Sequence, residues 1–84
     1  MNKKIKIYAL STCIWCKKTI EYFKKKGLPF EHIYVDLLNE EQDQVVSREL
    51  EKLNPDRSFP TVVIGDKVIV GYKINEFDKE CKSI

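Results

Sequence analysis

Cys13 and Cys16 stand where a β-branched run gives way to a stretch of helical periodicity. That placement constrains the fold more than any other feature of the chain. Ile5 to Leu10 alternates and is rich in Ile and Tyr, as a strand requires. Ser11 and Thr12 then offer capping hydroxyls. From Ile14 to Lys26 the apolar positions Cys16, Ile20 and Phe23 recur at i, i+4, i+7, lysines fill the last turn, and Gly27 stands where a left-handed cap falls. One sulfur therefore sits at the N-terminus of a helix and the other one turn in, where the two can meet in a disulfide. The leading sulfur faces unpaired backbone N–H groups and the positive end of the helix dipole, and Lys17 and Lys18 add positive charge, all of which favour thiolate over thiol. Each unit of pKa depression is worth roughly 1.4 kcal/mol of that preference. Cys13 is thus the expected nucleophile and Cys16 the resolving thiol.

Other uses of the cysteines fit less well. Cys13, Cys16, Cys81 and His32 add up to a zinc ligand set, but Cys81 falls on the apolar face of the last helix with Phe77, and His32 alternates with Glu31 and Ile33 on a strand. A copper site at the same strand-to-helix junction would call for a Met and small residues around the first Cys. No bound metal is therefore expected. Trp15, between the two cysteines on the first helical turn, cannot point wholly inward and is expected to touch a partner.

Phe30 to Leu37 is dense in β-branched and aromatic residues and reads as a second strand. Asn39 with Gln42 three residues on makes a capping box, and Val46, Leu50 and Leu53 give the stripe of a second helix that Asn54-Pro55 stops. Thr61 to Ile64 and Lys67 to Val70 flank Gly65-Asp66, a tight hairpin, and Asn75 is placed to cap a last helix. The order β-α-β-α-β-β-α predicts an α/β fold, a four-stranded mixed sheet flanked by helices.

With 84 residues, 43% of them hydrophobic, residues 1–84 are expected to form one domain. A net charge of +2 is too small for a nucleic-acid protein, and no window has the roughly 18 apolar residues of a membrane span. The start of the chain lacks a signal-peptide pattern and the cysteine count is odd, so a reducing cytosol is expected, and no oligomeric interface is legible, consistent with a monomer.

The pattern Cys13-Ile14-Trp15-Cys16, then Ser58-Phe59-Pro60-Thr61 before Val62-Val63-Ile64, then Val70-Gly71-Tyr72, resembles the glutaredoxin branch of the thioredoxin-fold superfamily over essentially the whole chain. The resemblance implies a thioredoxin-like fold and a dithiol–disulfide oxidoreductase in which Pro60 is cis and lies against the cysteines. It also implies that Phe59 presents its backbone to substrate like an added strand. Substrate contact is accordingly expected at Trp15, Arg57, Phe59, Thr61, Gly71 and Tyr72, with Lys17 as electrostatic support. Glutathione-dependent members carry a basic residue where Leu10 stands, and Gly-Gly followed by an acidic pair where Val70-Gly71-Tyr72-Lys73-Ile74 stands. Charge-assisted contacts are worth roughly 1.5–3 kcal/mol each, so glutathione is expected to bind weakly. The pattern is closer to glutaredoxin-like redoxins of the NrdH type, which serve ribonucleotide reductase. Electrons are then expected from a protein disulfide reductase such as thioredoxin reductase.

Overall fold

The computed structural model describes residues 4–56 and 58–81. Four strands, β1 (Ile5–Ala9), β2 (Glu31–Tyr34), β3 (Thr61–Ile64) and β4 (Lys67–Val70), form one sheet in the order β2-β1-β3-β4. β1 runs parallel to β2 and antiparallel to β3, and β3 and β4 are antiparallel, so the sheet is mixed as the element order predicts. The helices are α1 (Ile14–Lys26), α2 (Glu40–Leu53) and α3 (Ile74–Cys81).

Alternation along the central strand sorts the helices onto two faces. Ile5, Ile7 and Ala9 pack with Cys16, Ile20 and Phe23 of α1, Val62 and Ile64 of β3, and Phe77 of α3. Tyr8 points the other way, onto Val46 and Leu50 of α2. Phe23 and Phe77 are wholly buried with ring centroids 5.3 Å apart, tying α1 to α3. Burying a side chain of this kind contributes roughly 1.5–3 kcal/mol.

Local signals act as expected in most places. Gly27 caps α1 at φ 71°, and the Asn39 side chain accepts the Gln42 N–H at 2.8 Å within a complete capping box. The β3–β4 turn uses Gly65 and Asp66, because Ile64 pairs with Lys67. Two boundaries differ. The second strand ends at Tyr34, and Val35–Leu37 form a 3-10 turn instead. There the Asp36 side chain turns to bond Ser11, and no further pairing with β1 continues. α3 starts at Ile74, ahead of Asn75, with the Phe77 N–H already bonded to the Lys73 carbonyl at 3.0 Å. Asn75 therefore lies inside the helix and does not cap it.

Candidate active site

The site is assembled at the end of β1. Residues 10–13 make a turn in which the Cys13 N–H donates to the Leu10 carbonyl at 3.2 Å. Cys13 is the N-cap of α1, with extended φ and ψ of −89° and 119°, and its sulfur accepts the N–H of Cys16 at 3.3 Å. No acidic residue stands in the first turn of α1 to neutralise the helix N-terminus. Cys16 is completely buried, and its sulfur receives the Leu10 N–H at 3.5 Å.

These surroundings push the two thiols apart. Partial burial raises the Cys13 pKa, but hydrogen bonds from the Cys16 thiol and from the N–H groups of Cys16 and Trp15 outweigh it and hold Cys13 below the ordinary thiol value. Burial, reinforced by the hydrogen bond to Cys13, pushes Cys16 well above it. The pair is a reduced dithiol with an accessible sulfur that ionises readily and a buried one that keeps its proton. Lys17 is exposed and gives its backbone N–H to the Cys13 carbonyl at 3.2 Å. The groups that lower Cys13 are the Cys16 thiol and the backbone donors of Cys16 and Trp15.

At the first turn of α1, a cavity of about 250 Å³ is lined by Trp15, Phe59, Pro60, Gly71 and Tyr72. The Phe59-Pro60 peptide bond is cis, as the resemblance implied. The Gly71 N–H donates to the Pro60 carbonyl at 2.7 Å, and Gly71 has a φ of 95°, which side chains rarely adopt. Trp15 is half exposed. Its ring centroid lies 5.7 Å from that of Tyr72, and the Lys18 Nζ stands 4.8 Å from the ring. Tyr72 in turn contacts Phe77 edge-on, which anchors the groove wall to the core.

The remaining sequence expectations fall elsewhere. Thr61 is fully buried, and its hydroxyl donates to the Ser58 carbonyl at 2.7 Å, so its side chain braces the loop from below and does not line the cavity. Arg57 lies outside the described residues. Cys81 borders a separate cavity with Lys26, Leu28 and Asp78, and His32 is exposed on the edge strand between Phe30 and Tyr34. The supposed zinc set is therefore not gathered, and among the described residues no three His, Cys, Asp or Glu side chains stand together as a metal site. A larger apolar cavity of about 440 Å³, lined by Ile33, Leu38 and residues of α2, shares no lining residue with the one at Trp15.

Sequence reasoning missed Asn54. It is buried at the end of α2, and its Nδ2 donates to the Ser58 carbonyl at 2.9 Å and to Thr61 Oγ1 at 3.1 Å. Asn54 next to Pro55 reads as a helix stop, and nothing local marks it as the strut of the Pro60 loop. Asp36 was missed too, since its partner Ser11 is distant in sequence.

A mixed four-stranded sheet, a dithiol at the N-terminus of α1 and a cis-proline loop beside it define a thioredoxin-fold thiol–disulfide oxidoreductase. The glutaredoxin family model matches residues 5–69. A glutaredoxin-like 8.6 kDa protein from the rubredoxin operon of Clostridium pasteurianum is 40% identical over 75 residues, 89% of this chain and 93% of its own. The crystal structure of methanoredoxin from Methanosarcina acetivorans superposes with a TM-score of 0.89 at 40% identity, covering 94% of this chain and 84% of that one. NrdH-redoxin from Escherichia coli, described as glutaredoxin-like with a thioredoxin-like activity profile, gives 0.74 at 25% identity, covering 90% and 92%. The chain belongs to the glutaredoxin family.

Proposed function

We propose that this oxidoreductase reduces disulfides in protein substrates and is recharged by a protein disulfide reductase in preference to glutathione. The observation that carries this reading is the groove at Trp15, two residues on from Cys13. It is walled by the Trp15–Tyr72 pair and Phe59, a surface suited to an extended polypeptide with apolar side chains. Leu10 offers no charge to a glutathione carboxylate, and Lys73, which ends its reach on Glu76 at 3.9 Å, stands where an acidic residue would hold the γ-glutamyl amine. The likeness to NrdH-redoxin supports the same assignment.

In this scheme the Cys13 thiolate attacks one sulfur of the substrate disulfide, and the other leaves as a thiolate that takes a proton. The Cys16 thiol then gives up its proton and attacks Cys13 in the mixed disulfide. The second substrate thiol is released and a Cys13–Cys16 disulfide remains, two electrons having passed to the substrate. Pro60 and the Phe59 backbone hold the substrate strand. A disulfide reductase returns the two electrons. Ribonucleotide reductase is one substrate of this kind. We place the protein in a reducing cytosol, acting as a monomer of one domain.

The test is to equilibrate the oxidised protein in glutathione redox buffers and, separately, to couple it to thioredoxin reductase with NADPH, reading thiols by trapping and mass spectrometry. Rapid reduction by the reductase, with little Cys13–glutathione adduct, is expected. Efficient turnover with glutathione and none with the reductase overturns the proposal.

A further inference from the structure

β1 and β2 leave the sheet side by side, because the strands are parallel with Ala9 opposite Tyr34. The residues that follow them meet. One oxygen of the Asp36 carboxylate accepts the Ser11 N–H at 3.0 Å and the other accepts the Ser11 hydroxyl at 2.6 Å. Ser11 is the second residue of the turn closed by the Cys13 N–H on the Leu10 carbonyl. The N–H of the first residue of that turn, Leu10, reaches the Cys16 sulfur, and its last residue is Cys13 itself. A single side chain from the far end of β2 therefore grips the middle of the segment that places both sulfurs.

We propose that Asp36 is a positioning residue for thiol exchange: by taking both donors of Ser11, it holds the turn 10–13 so that Cys13 stays seated at the α1 N-terminus and the Leu10 N–H stays on the Cys16 sulfur. The inference rests on Cys13 being the attacking thiol. Turns of this kind are otherwise free to open, since residues 11 and 12 make no ladder bonds of their own. The carboxylate suits the task because two charge-assisted bonds fix its orientation as well as its distance. The same two bonds hold its carboxyl below the usual carboxylate range, so it is ionised wherever the thiol chemistry runs. Its charge also adds to the effects that keep the proton on Cys16.

The experiment uses the full chain with Asp36→Ala, Asp36→Asn and Ser11→Ala. Three readouts are taken on each variant: reduction of a model protein disulfide such as insulin, the rate of Cys13 alkylation by iodoacetamide at fixed neutral pH with the labelled peptide mapped, and the thermal midpoint. Mapping shows directly whether Cys13 is the reactive thiol, so that question is read apart from the role of Asp36. Misplacement of a reacting group is enough to cost on the order of tenfold in rate, and a loss of about that size is expected for Asp36→Ala in both reduction and alkylation. Ser11→Ala, which keeps the backbone bond, should lose less. Asp36→Asn can still accept the Ser11 N–H and meet its hydroxyl, and should restore most of both rates. Wild-type rates in Asp36→Ala, even with a lowered thermal midpoint, overturn the proposal, because the contact then serves only stability. An Asp36→Asn variant as slow as Asp36→Ala also overturns it, because charge and not hydrogen bonding would be responsible. Should Asp36→Ala fail to fold, Ser11→Ala decides the matter: slowed reduction and alkylation are expected, and wild-type rates overturn the proposal.

Discussion

The backbone N–H of Cys16 points at the sulfur of Cys13 from 3.3 Å, so the helix that buries one cysteine stabilises the thiolate of the other. The same short segment sets both the nucleophile and the thiol that resolves it. The division of labour follows from burial: Cys16 has no exposed surface, whereas Cys13 is half-buried and reachable.

The pH dependence follows from the opposed directions of the two thiols. Cys13 ionises below the ordinary thiol value, and Cys16 above it. The alkylation rate of the reduced protein should therefore be half-maximal at a pH below that of a free cysteine, with Cys13 carrying the label. Between the folded Cys13 value and that of the unfolded chain, the unfolded state binds more protons. Stability of the reduced form from this group should therefore rise with pH through that window and be lost as pH falls through the folded value. Cys16 acts oppositely, withdrawing stability as pH climbs beyond the ordinary thiol range. Alkylation rates and thermal midpoints across a pH series check both signs, and a Cys13 rate midpoint at or above the free-thiol value would contradict the geometry.

Replacing either cysteine separates the two chemical steps. Cys13→Ser should reduce exchange to background. Cys16→Ser should still attack substrate but halt as a mixed disulfide on Cys13, visible by mass spectrometry. Normal turnover in Cys16→Ser would refute the two-thiol scheme.

The Trp15–Tyr72 wall should act on binding more than on chemistry. Trp15 is half exposed on the cavity wall, and an aromatic contact with a substrate side chain is worth about 0.5–1.5 kcal/mol, so Trp15→Ala should raise KM for a protein disulfide roughly three- to tenfold. kcat should change little, because Trp15 touches neither the Cys16 proton nor the Pro60 carbonyl. Steady-state kinetics with insulin separate the two constants. A fall in kcat at constant KM would place the residue in the chemical step.

Asn54→Ala tests the strut beneath the proline loop. The substitution removes two hydrogen bonds, leaving Ser58 and Thr61 only the bond they make to each other, at a cost of about 1–3 kcal/mol. Urea denaturation should show a loss of that size. Exchange with protein substrates should also slow, since Phe59 and Pro60 lie within the braced segment, whereas an unchanged midpoint would mean that water replaces the side chain without penalty.

Much of the fold was legible locally. The α1 stripe of Cys16, Ile20 and Phe23, the Asn39 capping box and the Gly65-Asp66 hairpin each depend on neighbours a few residues away, and each forms as read. The misreadings lie where a distant contact overrides a local preference. Val35 and Leu37 have strand composition, yet the segment bends into a 3-10 turn where Asp36 engages Ser11. Thr61 stands in the right motif, but its position on β3 turns the hydroxyl beneath the loop.

The sequence by itself determined the helices, the hairpin, the spacing of the two cysteines and hence the family of chemistry, because these rest on periodicity, caps and turn residues acting over one or two turns of chain. Only the tertiary structure decided what surrounds the thiols: Pro60 against Gly71, Trp15 against Tyr72, Ser11 against Asp36, and Asn54 under Thr61. Each of these contacts joins different elements of the fold. It exists because the sheet order and the buried faces of the helices bring those elements to one end of the molecule, and no local propensity encodes it.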